Sequence, residues 1–242
     1  MCTVTYIPAG NGYFLTSSRD EQIMRLSACP PQFSHYNNAI LLFPKDGDAG
    51  GSWIAINDKG HMAVLLNGGF LKHVPTPPYA RSRGLVLLDI VSGTIPIDTF
   101  IQLDLNLIEP FTIILANAQK LYECRWTGIG KYYKELVYTQ AHIWSSVTLY
   151  EKNIIRKREQ WFKDWLVMHK YPNMQDILAF HQFAGEGDSH NAIRMNRFNQ
   201  MLTVSITGVY MRDDAGTLSY NDLHQEKKVT VELPFHKELK SI

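Results

Sequence analysis

Residues 1–21 have the sequence MCTVTYIPAGNGYFLTSSRDE, and this stretch predicts a β-hairpin at the beginning of the chain. β-Branched and aromatic residues dominate segments 3–7 and 12–16, and the turn-forming residues 8–11 separate them. In an antiparallel hairpin, the far end of the second strand returns beside the start of the first. We therefore expect residues 17–21 to lie next to the N-terminal residues.

Cys2 carries the most distinctive chemistry near this start. A thiol is a good nucleophile only as a thiolate, so a base must lie close to it. Removal of Met1 would make the α-amine of Cys2 that base, since an α-amine has a pKa of about 7.7–8.0 and a thiol one of about 8.5. Arg19 would favour the thiolate, and Asp20 would accept hydrogen bonds from the α-ammonium group. The alternative for Arg19 and Asp20 is an ion pair that closes a surface strand.

The rest of the chain contains strand patterns, then helical patterns, then strand patterns again. Strand patterns occur at 53–57, 61–66, 111–116, 120–126 and 134–138, helical patterns at 151–169 and 174–183, and further strand patterns at 202–210, 217–220 and 229–233. This order predicts an α+β fold in one domain that spans residues 1–242. We expect strands and tight turns in the first hundred residues. We also expect helix 151–169 to lie in an outer layer, with its basic run 156–158 in solvent.

The composition restricts the class of protein. The 242 residues are 45% hydrophobic, and 24 Lys and Arg residues nearly balance 23 Asp and Glu residues. Because this balance gives no concentrated positive field, we expect no nucleic-acid partner. The apolar runs are too short for a transmembrane segment, and residues 1–8 lack the pattern of a secretory signal. The three cysteines, Cys2, Cys29 and Cys124, show no paired spacing, which favours a reduced, cytoplasmic protein.

Familiar cofactor and metal motifs are missing from the sequence. It has no phosphate-binding GxxxxGK[ST] loop, no GxSxG segment and no HExxH pair. His181 and His190 lie nine residues apart across a glycine loop, which is not a recognised ligand spacing. We therefore expect neither a metal nor a cofactor.

Five blocks of sequence, in order, resemble the NRDE family, whose animal members are called transport and Golgi organisation protein two. These blocks are Met1-Cys2-Thr3, residues 17–21, Pro44-Lys45-Asp46 with residues 49–57, Leu65-Leu66-Asn67, and Ser82-Arg83-Gly84. The family takes its name from an Asn-Arg-Asp-Glu tetrapeptide, and Ser18 replaces the asparagine here. The resemblance is dense over residues 1–90 and continues more thinly to about residue 220.

The resemblance implies a four-layer αββα sandwich of the N-terminal nucleophile hydrolase type, with mainly antiparallel sheets. The layout is similar to that of the cysteine amidases that cleave bile-salt conjugates and penicillin V. By the same resemblance, Cys2 is the nucleophile, Arg19 stabilises the thiolate, and Asp20 orients the α-amine. Asn67, at the end of the fourth predicted strand, contacts the oxyanion or the substrate carbonyl; the alternative is an Asn that merely ends a strand before two glycines.

Two positions depart from the family pattern. A Leu-Ser-Asn segment is common in the middle of family members, and here Ser146 takes the place of its asparagine. Many members carry Gly-Thr-Arg-Ser-Ser-Thr near the C-terminus, and here Val204 takes the place of the arginine. Arg194 and Arg197 are candidate replacements from the preceding residues.

Two functions follow as hypotheses. The first is a cysteine amidohydrolase that cleaves a linear, non-peptide C–N bond, which the intact set of Cys2, Arg19 and Asp20 favours. The second is a non-catalytic binding or carrier protein for a lipid, acyl or haem-like small molecule on the same scaffold. The missing Asn and Arg side chains favour this second function, because fold alone does not establish activity.

Overall fold

The computed structural model describes residues 3–235, which form fourteen strands and four helices. The strands are β1 Thr3–Ala9, β2 Gly12–Gln22, β3 Cys29–Tyr36, β4 Ala39–Lys45, β5 Ile54–Asn57, β6 Met62–Asn67, β7 Phe111–Ala116, β8 Leu121–Trp126, β9 Lys131–Leu136, β10 His142–Ser145, β11 Asn196–Arg197, β12 Met201–Arg212, β13 Ala215–Asp222 and β14 Lys227–Pro234. The helices are α1 Arg83–Ser92, α2 Pro96–Gln102, α3 Lys152–Met168 and α4 Met174–Phe183.

The strands form two seven-stranded sheets. The first sheet has the order β10-β1-β2-β12-β13-β14, with β11 paired to β12, and the second runs from β3 to β9 in chain order. Every strand pairing in the two sheets is antiparallel. The predicted α+β class and the mainly antiparallel sheets are confirmed.

Three apolar clusters hold four layers together. Successive side chains of a strand point to opposite faces, so each sheet can bury both of its faces. One cluster, which includes Tyr6, Leu15 and Ile56, lies between the two sheets. A second cluster packs α1 and α2 against the outer face of the second sheet, and a third packs α3 and α4 against the outer face of the first sheet. This is the expected αββα sandwich, with α3 in an outer layer.

The N-terminal hairpin is present and lies inside the first sheet. β1 pairs with β2 on one side and with β10 on the other, so it is an interior strand. Its first described residue, Thr3, pairs with Ser18. Met1 and Cys2 lie outside the described residues.

The prediction of strands and turns throughout the first hundred residues was wrong for the segment that forms α1 and the beginning of α2. Helix α1 buries Val86, Leu87, Leu88, Ile90 and Val91, so apolar residues cover most of its circumference. A buried helix of this kind has no polar face and therefore no helical periodicity to detect. Ser82 caps its N-terminus through a hydrogen bond from the Leu85 N–H to the serine side chain.

Two further expectations need correction. Asn67 ends the sixth strand and not the fourth, because β3 and β4 form a hairpin that the strand patterns did not include. Arg158, expected in solvent with its basic neighbours, is 0% exposed. Its position in α3, four residues before the buried Phe162, places it on the face that packs against the first sheet.

Candidate functional site

Strand β2 places Arg19 and Asp20 on opposite faces of the first sheet, because neighbouring residues in a strand alternate. Arg19 points between the two sheets, where its guanidinium carbon lies 4.6 Å from the centre of the Trp53 ring. Asp20 points towards the helices, and both side chains are almost completely buried. These two neighbouring residues therefore lie in separate environments, Arg19 between the two sheets and Asp20 between the first sheet and its helices.

Arg19 belongs to a buried ion pair. Its Nη2 lies 2.5 Å from Oδ2 of Asp46, while Arg25 donates to the other oxygen of Asp46 at 2.8 Å. Burial alone would raise the pKa of Asp46, but the Ala49 N–H and the charges of Arg19 and Arg25 outweigh it and hold that pKa below its ordinary value. Asp46 thus stays ionised between the two arginines. Glu21, 3.5 Å from Arg19, extends the same network.

Asp20 is held by two hydroxyl groups. Tyr150 donates to its Oδ2 at 2.7 Å, and Thr203 donates to its Oδ1 at 2.5 Å. Thr203 is directly opposite Asp20 in the pairing of β12 with β2, and the register shifts between Thr203 and Ser205. Val204 falls within this bulge. Because of the bulge, Thr203 stays opposite Asp20 while Val204 has no partner in β2.

A cleft of about 560 Å³ opens beside Arg19. Its lining comes from the end of β2, the loop that precedes β5, the end of β6, and residues 79–84 at the start of α1. Asn67 also lines this cleft, and its Oδ1 is buried without a hydrogen-bond partner within residues 3–235. The sequence-predicted residues Arg19 and Asn67 are therefore brought together at one site.

Ser146, which replaces the family asparagine, has a structural contact with the same site. Its hydroxyl donates to the main-chain oxygen of Asn67 at 2.8 Å and lies 2.9 Å from the hydroxyl of Thr148. Ser146 thus fixes the end of β6. It does not supply an amide donor to the cleft.

The two candidate replacement arginines lie away from the cleft. Arg194 is exposed, and Arg197 donates to the main-chain oxygens of His190 and Leu149 at 3.0 and 3.1 Å. The guanidinium carbon of Arg197 lies 5.0 Å from the centre of the Tyr150 ring. Arg197 therefore reaches the partner of Asp20, and neither arginine lines the described part of the cleft.

Sequence reasoning missed a polar cluster behind the N-terminal hairpin. Arg158 donates to the Thr3 hydroxyl at 2.5 Å, and His181 lies between the hydroxyls of Thr5 and Ser18 at 2.8 Å from each. Burial, and then the charge of Arg158, lower the pKa of His181 to about 3, so the ring is neutral at ordinary pH. One sequence signal could have indicated this cluster: Arg158 lies four residues before Phe162, on the face of α3 that carries its apolar residues.

The two described cysteines lie outside the cleft. Cys29 is exposed, and Cys124 is buried in β8, where burial raises the pKa of its thiol. The predicted nucleophile, Cys2, lies outside the described residues. Thr3 pairs with Ser18, the residue that precedes Arg19, so the described chain begins beside the Arg19–Asp20 pair.

With this geometry in place, comparison with known proteins gives the family. The family model for transport and Golgi organisation 2 matches residues 1–213. The chain belongs to this family. No curated protein sequence matched the chain in a parallel comparison.

Solved structures similar to this member of the transport and Golgi organisation 2 family include hydrolases of the N-terminal nucleophile type. A Caenorhabditis elegans ortholog of N-acylethanolamine-hydrolyzing acid amidase has 11% identity and a TM-score of 0.61, over 86% of this chain and 92% of that one. A mutant conjugated bile acid hydrolase from Clostridium perfringens has 8% identity and a TM-score of 0.60, over 98% of this chain and 97% of that one. At these identities, the similarity establishes a shared fold.

Within residues 3–235, no helix is both long and apolar enough to cross a bilayer. The same residues contain no group of three or more His, Cys, Asp and Glu side chains arranged to hold a metal ion.

Proposed function

We propose that this protein is a cysteine amidohydrolase that cleaves a linear, non-peptide C–N bond, with Cys2 as its nucleophile after removal of Met1. One observation carries the proposal: the described chain enters the first sheet beside Arg19, which faces a cleft, and beside Asp20, which two hydroxyls hold. A cation on one side and an anchored carboxylate on the other match the needs of a thiolate and an α-ammonium group.

The chemistry proceeds in two stages. The Cys2 thiol passes its proton to its own α-amine, and the thiolate attacks the carbonyl carbon of the amide. Asn67 donates through Nδ2 to the oxyanion that forms. The amide nitrogen then leaves with a proton from the α-ammonium group, and a thioester remains on Cys2. Water attacks this thioester while the α-amine accepts its proton, which releases the acid and restores the thiol.

The pairing of Arg19 with Asp46 favours a second candidate function, that of a small-molecule binding or carrier protein without catalysis. A guanidinium already neutralised by a close carboxylate gives a thiolate less stabilisation than a free one. Ser146 and Val204 also leave Asn67 as the one side-chain amide in the described lining of the cleft. In this second function, the cleft binds its ligand and does not cleave it.

Labelling of the cysteines distinguishes the two functions. Intact-mass analysis of protein from its native host should show loss of Met1, and limited alkylation with peptide mapping should label Cys2 first. Cys29 is an internal control, because its thiol is exposed, and Cys124 should stay unlabelled until the protein unfolds. A Cys29→Ser variant should show the same fast phase, and a Cys2→Ser variant should lose it.

The opposite result removes the hydrolase proposal. Quantitative retention of Met1 would leave Cys2 without a free α-amine, and labelling of Cys2 no faster than Cys29 would show that nothing activates its thiol. Either result would leave the carrier function. Amide hydrolysis that disappears in Cys2→Ser protein of unchanged stability would support the enzyme.

A further inference from the structure

Seven charged side chains line the cleft beside Arg19. Its charged residues are the four arginines Arg19, Arg25, Arg81 and Arg83 and the three carboxylates Glu21, Asp46 and Glu109. Its apolar and aromatic side chains are fewer than the charged ones: Ala49, Trp53, Leu65, Tyr79 and Ala80. A long hydrocarbon chain in this space would remove water from the charges without replacing its hydrogen bonds, which is costly.

A second ion pair lies on the α1 side of the cleft. Arg83, the first residue of α1, contacts Glu109 with 2.9 Å between Nη2 and Oε2, and His73 lies 3.1 Å from the other oxygen of Glu109. The side chains of Arg83 and Glu109 are 17% and 21% exposed. Both charges therefore face the cleft from a largely buried position.

The two ion-pair groups lie within electrostatic reach of each other. Burial lowers the pKa of Arg83, Glu109 and Glu21 oppose this effect, and the positive charge of Arg25 adds to it. Arg25 and Arg83 both line this cleft, and Glu21 lies 3.5 Å from the guanidinium of Arg25. A ligand carboxylate between the two arginines would have a positive charge on either side, and a ligand ammonium would then balance the nearby glutamates.

Asn67 adds a requirement for a hydrogen-bond donor. Its buried Oδ1 accepts no hydrogen bond within residues 3–235, although buried acceptors are nearly always paired. A ligand N–H group in the cleft would satisfy it. A hydrocarbon group would leave it unpaired.

We infer that the substrate of this cleft is a short zwitterionic amide, whose carboxylate binds Arg83 and Arg25 and whose ammonium group lies against Glu21 and Glu109. The inference rests on the proposed hydrolase function of the same cleft. It differs from a simple transfer of the structural neighbours' substrates, because an N-acylethanolamine carries no such pair of charges.

A matched series of p-nitroanilides tests this substrate class through release of p-nitroaniline. The γ-glutamyl compound carries both charges, glutaryl only the carboxylate, 4-aminobutyryl only the ammonium, butyryl neither, and palmitoyl a long chain. We expect the γ-glutamyl compound to have the highest kcat/KM, by about tenfold or more, since two charge-assisted contacts distinguish it from the others. A preference for the palmitoyl or butyryl compound would overturn the inference and leave the hydrolase function intact.

Variants of Arg83 and Glu109 test whether these residues cause the preference for the γ-glutamyl compound. Arg83→Gln should raise KM for the γ-glutamyl compound about tenfold, because a charge-assisted contact is lost, and Arg83→Lys should restore part of the loss. Glu109→Gln should reduce discrimination against the glutaryl compound. Arg212→Gln is the matched control, because Arg212 pairs with Asp214 and Glu232 and does not line the cleft. Equal effects of Arg83→Gln and Arg212→Gln would overturn the assignment.

Binding to Cys2→Ala protein separates this inference from the hydrolase proposal. If no anilide is cleaved, calorimetry with L-glutamine and with butyramide still measures the preference of the cleft. Tighter binding of L-glutamine that Arg83→Gln abolishes would support the zwitterionic site while the hydrolase proposal fails. Equal binding of the two amides, or no binding of either, would overturn the inference.

Discussion

The guanidinium carbon of Arg158 lies 3.5 Å from the centre of the Tyr150 ring. The same guanidinium donates to the Thr3 hydroxyl, and the Tyr150 hydroxyl donates to Asp20. Arg158 therefore contacts both the beginning of the described chain and the partner of a predicted catalytic residue. A buried cation stacked on an aromatic ring, with its N–H groups satisfied, is a strong positional constraint.

Replacement of Arg158 by lysine should destabilise the fold. Arg158 also donates to the main-chain oxygens of Asn191 and Ala192, and a lysine cannot reproduce this planar set of contacts. We expect Arg158→Lys to lower the free energy of unfolding by about 2–4 kcal/mol, because buried acceptors lose their donors. Urea unfolding measures the change. Arg156→Lys is the control on the exposed face of α3, and an equal loss in both variants would contradict the buried role of Arg158.

Removal of either hydroxyl from Asp20 should affect both stability and Cys2. Tyr150→Phe deletes one hydrogen bond to a buried carboxylate, worth about 1.5–3 kcal/mol. Thr203→Val deletes a second such bond and also the acceptor of the Met195 N–H, so its loss should be larger. If Asp20 orients the α-amine of Cys2, both variants should also slow alkylation of Cys2 and leave that of Cys29 unchanged. Tyr171→Phe, at a residue 96% exposed, is the control. Unchanged alkylation of Cys2 in both variants would exclude Asp20 from that role.

His181 predicts a specific loss of stability in acid. Its pKa is lowered to about 3 by burial and by Arg158, from an ordinary value of 6.5, so the folded protein excludes a proton that the unfolded chain binds. Stability therefore falls as the pH falls through this window, by about 1.4 kcal/mol for each pH unit from this one residue, and the contribution levels off below pH of about 3.

Urea unfolding of wild type and His181→Gln between pH 7 and 4.5 measures this contribution. Other acid-sensitive groups, such as Asp46, affect both proteins equally and cancel in the difference. The slope of the wild type should exceed that of the variant by about one proton over the acid half of this range. Parallel slopes would show that His181 is protonated in the folded protein.

The sequence was sufficient for the features of the fold that depend on local pattern. Residues 3–7 and 12–16 are rich in β-branched and aromatic side chains and flank a turn, so the hairpin could be predicted. The turn is shorter than the predicted 8–11, because Ala9 already pairs with Gly12, and this register places Thr3 opposite Ser18 and so beside Arg19. The resemblance to a family supplied the layer order, which single-segment patterns do not contain.

The partners of the site residues could not be predicted in the same way. Thr203 lies 183 residues from Asp20 in sequence, and Tyr150 lies 130 residues away, so their contacts depend on how β12 and α3 pack on the hairpin. Asp46 lies in one of the family-like sequence blocks, where no pattern indicates a role for it, and its ion pair with Arg19 forms only when the two sheets stack. Pairing across layers leaves no periodic signal in either segment.

The main chains of Gly51 and Gly84 approach each other closely at the cleft. A Cβ atom on Gly51 would lie 2.4 Å from the carbonyl carbon of Gly84 and 2.5 Å from the Leu85 nitrogen. The Ser52 N–H also donates to the Gly84 oxygen at 3.3 Å, so main chain meets main chain where the loop before β5 touches the start of α1. Neither segment has a flexible side-chain atom there that could give way.

Gly51→Ala should therefore push the start of α1 away from the loop. We expect a loss of about 1–3 kcal/mol in the free energy of unfolding, as for other overpacked sites. Because Arg83 precedes Gly84, the displacement should also weaken binding of L-glutamine to Cys2→Ala protein. Gly10→Ala is the matched control, since a Cβ there meets nothing within 4 Å, and its change in stability should stay within about 0.5 kcal/mol. Wild-type stability in Gly51→Ala would show that α1 and the loop are not held in contact in solution.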